Sequence, residues 1–189
     1  MRPVIDDFSP SLGLHASWPS PEWPGKERAL LGNTLKPEHL KEEPVIRLHD
    51  MQAASLSSYR NVSYVITLTD PDAPSRDDPK WSEFCHWIAS GILRPALCDP
   101  KDPGPCPPVL TDLDEVMPYK PPGPPEKTGK HRYVFLAFVP SNGTTDRLHP
   151  SKPSDRKHWG YDPKKGKTKG VREWAEENGL APVGELPVA

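Results

Sequence analysis

Apolar residues along the chain occur in short runs separated by proline-rich turns, a pattern typical of strands. Strands are predicted over residues 13–18, 44–49 and 64–68, and residues 84–92 form a further apolar segment. The clearest strand is predicted over residues 130–140. Both of its faces are mainly apolar, so we expect it to lie centrally in a sheet that is covered on each side.

Only two segments have the pattern of a helix. Residues 37–42 predict one short turn, and residues 170–178 predict a helix in which Val171 and Trp174 share a face. Gly179 follows at the position where a left-handed residue stops a helix. Several strands and little helix together predict a mainly β fold.

The length of 189 residues favours one domain, which we expect to span residues 1–189 with an irregular N-terminal segment over residues 1–12. The chain has 27 prolines and 13 glycines. Together they stay below the roughly 25–30% that is typical of disordered low-complexity chains. The prolines lie between apolar runs, which indicates fixed turns in a globular domain.

A formal net charge of −2 and a pI of about 6.4 give no reason to expect a nucleic-acid partner. The basic cluster over residues 152–172 is interpreted as a solvated loop, with an acidic partner or a membrane surface as the alternative. No apolar run approaches the 18 residues of a membrane span, and the N-terminus lacks a signal-peptide pattern. Three cysteines fit a reducing compartment. Cys98 and Cys106 flank a proline-rich loop and are interpreted as two loop thiols, with pairing under oxidation as the alternative.

Candidate chemistry starts at the segment DPDAPSR, residues 70–76. Pro71 biases Asp70 to an extended conformation, and a carboxylate held in this way can orient an imidazole by accepting its N–H. The alternative is a turn in which the Asp70 and Asp72 side chains accept hydrogen bonds from backbone N–H groups. Composition alone favours that turn.

A second candidate group comes from His131 and Tyr133, which are two residues apart on the predicted strand and so point to one face. An imidazole N–H and a phenol O–H aimed into one space suit an anionic oxygen. With Asp70 and His86, which also lie near strand ends, they predict a phosphate or carboxylate site. The rigid loop Gly123-Pro124-Pro125 is placed to form a wall of this site.

The chain resembles the phosphatidylethanolamine-binding protein (PEBP) family over about residues 8–184. The resemblance rests on DPDAPSR, on a histidine in WSEFCHW, and on GPP followed by GKHRYVFLAF, in that order. GNTL, HWGYDP and GVREWAEENGL are similar to the fungal branch of the family, whose members include carboxypeptidase inhibitors. The resemblance implies a large antiparallel sheet packed on a smaller one, with a few peripheral helices.

The resemblance also implies a small surface pocket for phosphate, sulfate or a phospholipid head group. Its anion-binding residues would be Asp70, His86, His131 and Tyr133, and its walls would be formed by Ala73, Pro74, Phe84, Gly123 and Pro125. Members of the family are generally binders and regulators and not established catalysts, and we expect this chain to be no enzyme and to need no cofactor or metal. The implied partner is a serine carboxypeptidase, or alternatively a kinase or Ras-type signalling pathway. We expect a cytoplasmic monomer, with a vacuolar pool if a carboxypeptidase is the target.

Four features depart from the family pattern. Cys85 stands where many members have a second histidine, and Lys127 replaces a glycine usual in the loop before His131. Only residues 1–7 precede Phe8, where the inhibitor branch carries a longer segment that engages the protease, so the inhibitor role is weakened. After Gly184 the chain lacks the aromatic segment that often closes the pocket, so we expect a more open site.

Three other hypotheses remain for the same residues. A low-activity hydrolase would use Asp70 with His86 or His131 as a general base, although no nucleophile stands in a recognised setting. Asp70, His86 and His131 also match a metal-ligand set by residue type, but not by a compact spacing. Finally, the cluster would be purely structural if Asp70 bonded to His86 and Tyr133 closed the network.

Overall fold

The fold is described from a computed structural model. The described residues are 9–19, 27–50, 62–96, 107–143, 148–157, 159, 161–162, 166–167 and 170–188. Cys98, Cys106 and three of the lysines in the basic cluster, Lys164, Lys165 and Lys169, lie outside them.

The described residues form ten strands, one α-helix and one 3-10 turn. The strands are β1 Leu12–Trp18, β2 Glu27–Arg28, β3 Val45–Asp50, β4 Ser63–Asp70, β5 Phe84–Arg94, β6 Val109–Met117, β7 Tyr133–Pro140, β8 Tyr161–Asp162, β9 Gly166–Lys167 and β10 Leu180–Val188. The helix α1 spans Val171–Glu177 and the 3-10 turn spans Pro37–His39. Both lie inside the segments predicted as helix, and Gly179 adopts the left-handed conformation expected after α1, with φ of +62°.

Eight strands form one antiparallel sheet in the order β10-β7-β4-β5-β6-β3-β1-β2, and β8 and β9 form a separate hairpin. The sheet curls so that β10 approaches β1: the N–H of Ser11, just before β1, donates to the carbonyl of Val183 in β10 at 3.1 Å. The predicted mainly β, antiparallel class is therefore confirmed. The strands form one curled sheet and a separate hairpin, and the expected packing of a large sheet on a smaller one is not confirmed.

Alternating residues of the strands build two apolar clusters on opposite faces of the sheet. The inner cluster fills the concave side and includes Trp18, Leu48, Ile66, Leu68, Trp87 and Phe135. The outer cluster lies under α1 and includes Val65, Ile88, Leu136, Phe138, Val171 and Trp174. Since Phe135 and Leu136 of β7 are buried on opposite faces, β7 is covered on both sides, as its sequence predicts.

One prediction about β7 is wrong at its beginning. The strand was expected from residue 130 but starts at Tyr133, so His131 precedes it. The reason is that the backbone N–H of Arg132 donates to Asp72 Oδ2 at 2.8 Å instead of joining the ladder. Five strands had no sequence prediction: the long strands β6 and β10, and the two-residue strands β2, β8 and β9.

The basic cluster includes Arg156, which has a structural role. Arg156 donates from its guanidinium to the carbonyls of Cys85, His86 and Pro118 at 2.7–3.1 Å and so joins the start of β5 to the end of β6. This residue is only half-exposed, unlike a lysine of a solvated loop.

Within the described ranges, no helix is long and apolar enough to cross a membrane.

Candidate functional site

The site begins with a buried carboxylate at the end of β4. Asp70 Oδ1 accepts the backbone N–H of Asp72 at 2.8 Å, and Asp70 Oδ2 lies 2.7 Å from His131 Nδ1. Both interpretations of the sequence therefore hold. Asp70 accepts a backbone N–H within the turn, and it also orients the imidazole of His131. Burial raises the pKa of Asp70, and the hydrogen bond with His131 opposes that rise.

The other nitrogen of the His131 ring is also engaged. His131 Nε2 lies 3.0 Å from Thr128 Oγ1, and the Thr128 hydroxyl donates to the Pro125 carbonyl at 2.7 Å. The Thr128 oxygen therefore presents a lone pair to the imidazole. The sequence predicted an imidazole N–H aimed at a ligand; in the structure Thr128 already occupies that direction.

His86 reaches the site because it is the extra residue of a β-bulge. In the pairing of β4 with β5, Leu68 lies opposite Trp87 and Thr69 lies opposite Cys85, which leaves His86 between them. Its ring packs on Phe84 and Tyr133, with centroid distances of 4.9 and 5.2 Å. The bulge thus turns the His86 side chain toward the concave face.

The hydrogen bonds of His86 decide which group it offers to a ligand. His86 Nδ1 lies 2.7 Å from the Lys120 carbonyl and donates to it, because a carbonyl can only accept. Burial lowers the pKa of His86 to about 4, so the ring is neutral near pH 7 and its Nε2 carries a lone pair. The site therefore contains a hydrogen-bond acceptor at His86 Nε2.

Tyr133 supplies the donor of the cluster. Its ring stacks on His131 with centroids 6.5 Å apart and an interplanar angle of 22°, and it meets the His86 ring edge-on. Burial raises the pKa of Tyr133, so its phenol keeps the proton that it can donate. The structure thus brings Asp70, His86, His131 and Tyr133 together, although Asp70 bonds to His131 and not to His86 as the structural hypothesis supposed.

The predicted wall residues surround this cluster at different depths. Phe84 packs on His86, and the Gly123 backbone contacts the Tyr133 hydroxyl. Ala73 is buried in the turn after Asp70, where its carbonyl accepts the Trp81 N–H, and it is joined to Pro74 by a cis peptide bond. Pro125 reaches the site through its carbonyl, which holds Thr128.

Sequence reasoning missed two groups that fix the histidines: the Thr128 hydroxyl and the Lys120 carbonyl. The position of Thr128, three residues before His131 and between Pro125 and Gly129, was a usable signal. No side-chain signal existed for Lys120, since only its backbone takes part.

Cys85, which replaces a histidine common in the family, does not face the site. Its side chain belongs to the outer cluster, on the other face of the sheet from Asp70 and Trp87. Burial raises the pKa of the Cys85 thiol to about 12, so it is not a thiolate near neutral pH. The substitution therefore removes no group that pointed at the cluster.

Metal ligation was one alternative for these residues. In the part of the chain that the structure describes, no group of three or more His, Cys, Asp or Glu side chains is arranged to hold a metal ion. The nitrogens His131 Nδ1 and His86 Nδ1 are instead bonded to Asp70 and to the Lys120 carbonyl.

Comparisons with known proteins agree with this architecture. The family model described as phosphatidylethanolamine-binding protein matches residues 26–184. The carboxypeptidase Y inhibitor of Saccharomyces cerevisiae is 31% identical over 195 residues, which cover 95% of this chain and 85% of the inhibitor. A crystal structure of carboxypeptidase Y inhibitor complexed with its cognate proteinase superposes with a TM-score of 0.72 and 30% identity, covering 96% of this chain and 83% of that one.

A phosphatidylethanolamine-binding protein from Plasmodium vivax shares the fold at a TM-score of 0.65 and 17% identity, over 98% of this chain and 90% of that one. The match to the family model covers far more than half of the residues, and the yeast relative aligns along nearly the whole length. This chain belongs to the phosphatidylethanolamine-binding protein family.

Proposed function

We propose that this protein inhibits a serine carboxypeptidase of the carboxypeptidase Y type and binds phosphate-type anions or phospholipid head groups in the cluster around His131. The observation that carries the proposal is the similarity to carboxypeptidase Y inhibitor, which extends over 95% of the chain and over a shared fold with a TM-score of 0.72. Inhibition needs only a binding surface and no catalytic step by this chain.

The chemistry of the cluster supports a binding role over a catalytic one. A nucleophilic hydroxyl must give its proton to a base, but the Thr128 hydroxyl donates to the Pro125 carbonyl and accepts at its oxygen. The Cys85 thiol is buried and faces away. In the described residues, the groups around His131 therefore hold one another, which supports a binding role and not catalysis.

The hydrogen-bond pattern favours an anion that still carries a proton. Tyr133 can donate to a negatively charged oxygen, whereas His86 Nε2 can only accept. A phosphate monoester monoanion offers both kinds of group, since it has P–O⁻ oxygens and one P–OH. Its P–OH would donate to His86 Nε2, and one P–O⁻ would replace Thr128 at His131 Nε2.

The test is a peptide-hydrolysis assay of carboxypeptidase Y with increasing amounts of this protein, with the yeast inhibitor as the positive control. We expect saturable inhibition that does not decline as the protein is preincubated with the protease. In parallel, phosphoethanolamine binding is measured by calorimetry on the wild type and on His131→Ala. Full protease activity at a large excess of this protein would refute the inhibitor role, and unchanged phosphoethanolamine binding in His131→Ala would refute the anion site.

A hydrolase is the second candidate, because Asp70, His131 and Thr128 lie in one hydrogen-bonded line of carboxylate, imidazole and hydroxyl. This order of groups is that of an acyl-transfer triad. The Thr128 hydroxyl argues against a triad, because it donates to the Pro125 carbonyl and not to His131. Turnover of a p-nitrophenyl ester that is lost in both Thr128→Val and His131→Ala would favour the hydrolase over the inhibitor.

A further inference from the structure

A cavity of about 300 Å³ lies next to the anion cluster and shares two of its rings, His131 and Tyr133. Asp70 and His86 do not line it. Its other walls come from the end of β1, from residues 34–40, from β4 and β7, and from the loop over residues 122–130. The apolar wall residues include Trp18, Leu35, Leu40, Leu68, Pro122 and Phe135.

The polar atoms of two of the wall residues, Trp18 and His131, are bonded elsewhere. Trp18 Nε1 donates to the Tyr119 hydroxyl at 3.2 Å, and that hydroxyl donates to the Leu40 carbonyl at 2.8 Å. Both nitrogens of His131 are engaged by Asp70 and Thr128. The cavity is consequently lined by ring faces and aliphatic side chains, and a cavity of that kind favours apolar ligands over water.

The exposed rim of the cavity is positively charged. Lys36 and Lys130 both line it and both are exposed. Lys130 Nζ lies 3.1 Å from the uncharged Thr34 hydroxyl, and Lys36 Nζ lies 3.8 Å from the exposed Glu38 carboxylate, an arrangement that contributes little binding energy. At least one ammonium group at the rim therefore lacks a neutralising carboxylate among the described residues.

We propose that this cavity binds a small amphiphile, a medium-chain aliphatic carboxylate, with its chain against Trp18 and Phe135 and its carboxylate at Lys130. The volume is about twice the roughly 150 Å³ of an apolar cavity that holds benzene, and it lies at the lower end of known ligand pockets. The proposal goes beyond the inhibitor and anion-binding roles, because it uses neither Asp70 nor His86.

The first experiment is calorimetric titration of the full chain with octanoate, octyl phosphate and octan-1-ol, all below their aggregation concentrations. We expect octanoate to bind saturably, and octan-1-ol to bind about two- to fivefold more weakly because it lacks the exposed charge contact. Equal binding of octan-1-ol, or no binding of octanoate, would overturn the proposal. A second outcome would also overturn the proposal: octyl phosphate binds at least tenfold more tightly than octanoate, and Asp70→Asn abolishes this difference in affinity. The head group of the ligand would then lie in the anion cluster and not at Lys130.

Two pairs of variants locate the site. Leu35→Trp fills the cavity and should weaken octanoate binding at least tenfold, whereas Leu113→Trp, at another half-buried position against the inner cluster, should not. Lys130→Gln should weaken it about two- to fivefold, whereas Lys127→Gln in the same loop should not. The lysine variants leave the core intact, so they test the proposal even if Leu35→Trp does not fold. Octanoate binding that is unaffected by Lys130→Gln and by the double variant with Lys36→Gln would refute it.

Discussion

Thr128 and Asp70 contact different nitrogens of the His131 ring: Thr128 Oγ1 lies 3.0 Å from Nε2, and Asp70 contacts Nδ1. His131 is therefore fully hydrogen-bonded without a ligand. An anion that binds there must replace the threonine hydroxyl, which remains bonded to the Pro125 carbonyl. The cluster is thus both a structural network and a candidate binding site, with Thr128 as an internal competitor for the ligand.

Removing this competitor should strengthen anion binding. In Thr128→Val the His131 Nε2 loses its internal partner, so the affinity for phosphoethanolamine should rise about three- to tenfold, the equivalent of one modest hydrogen bond. The stability should fall by about 1 kcal/mol for the same reason. Calorimetric titration and urea unfolding measure the two effects.

The matched control is Thr111→Val, which removes a half-buried hydroxyl bonded to the Ile92 carbonyl on β5, outside the cluster. This variant should leave the affinity unchanged. An affinity in Thr128→Val equal to or below that of the wild type would show that Thr128 supports the ligand and does not compete with it.

The acceptor at His86 makes a prediction about pH. The second pKa of a phosphate monoester is about 6, so the monoanion with its P–OH predominates only below that pH. His86 remains neutral down to pH about 4 and can still accept this proton. Phosphoethanolamine should therefore bind more tightly at pH 5.5 than at pH 8, by up to about 75-fold, because the monoanion fraction falls from about three quarters to about one hundredth.

Sulfate is the control ligand, because it has the shape of phosphate but carries no proton over that range. Any change in the protein's own charge would alter the binding of both anions. A ratio of phosphate to sulfate affinity that stays constant from pH 5.5 to 8 would contradict the acceptor role of His86.

Glu83 should make the protein less stable as the pH rises. It is buried beneath α1, and burial raises its pKa to about 8, although the Val171 N–H donates to its Oε2 at 3.2 Å. Because the folded-state pKa lies above the unfolded value, its contribution is fully present below about pH 4.5 and is lost as the pH rises through about 8. Over that window the loss is at most about 1.4 kcal/mol per pH unit.

Glu83→Gln should remove this dependence, since a neutral amide can accept the same hydrogen bond. Urea unfolding at pH 5, 7 and 9 should show a flatter profile for the variant, which becomes more stable than the wild type at pH 9. Glu177→Gln, at an exposed position on α1, should keep the wild-type slope. Identical slopes for the wild type and Glu83→Gln would rule out a titrating Glu83.

Substitution of Asp72 should lower the stability of the protein. It accepts hydrogen bonds from the Arg132 guanidinium at 2.6 Å, from the Arg132 N–H at 2.8 Å and from Arg76 Nε at 3.1 Å. Burial acts to raise the pKa of Asp72, but these hydrogen bonds lower it below its usual range, so the carboxylate is charged at neutral pH. Asp72→Asn should cost about 2–4 kcal/mol of stability.

Because Arg132 follows His131 directly, Asp72→Asn should also weaken phosphoethanolamine binding. Asp78→Asn, which removes an exposed ion pair with Lys80, should change the stability by less than about 0.5 kcal/mol. Similar unfolding midpoints for the two variants would show that the Asp72 network contributes little.

Much of the fold could be predicted because its central strands are strongly patterned. β4 and β7 are nearly continuous runs of β-forming residues, and their burial on both faces follows from that. β6 was missed because charged residues interrupt its apolar positions, and Asp112 within it adopts a φ of +53°. β10 was missed because it contains Pro182 and Pro187, which an edge strand tolerates and a central strand does not.

The membership of the candidate site was accessible from sequence, but its hydrogen-bond polarity was not. Spacing placed His131 and Tyr133 on one face, and their rings do stack. The donor atoms are set by backbone groups, such as the Lys120 carbonyl at His86. The position of a backbone group cannot be inferred from the residue type. Neither the partner of Thr128 nor the bulge at His86 could be inferred without the three-dimensional pairing.

The bulge at His86 changes the phase of β5. Phe84 and Trp87 stand three positions apart, an odd interval that would place them on opposite faces of a regular strand, yet they share the concave face with His86 between them. A single added residue thus inserts a polar side chain into an apolar row without displacing the anchors on either side. Deleting it would restore an uninterrupted pairing of β4 with β5, at the cost of the imidazole and of its hydrogen bond with the Lys120 carbonyl.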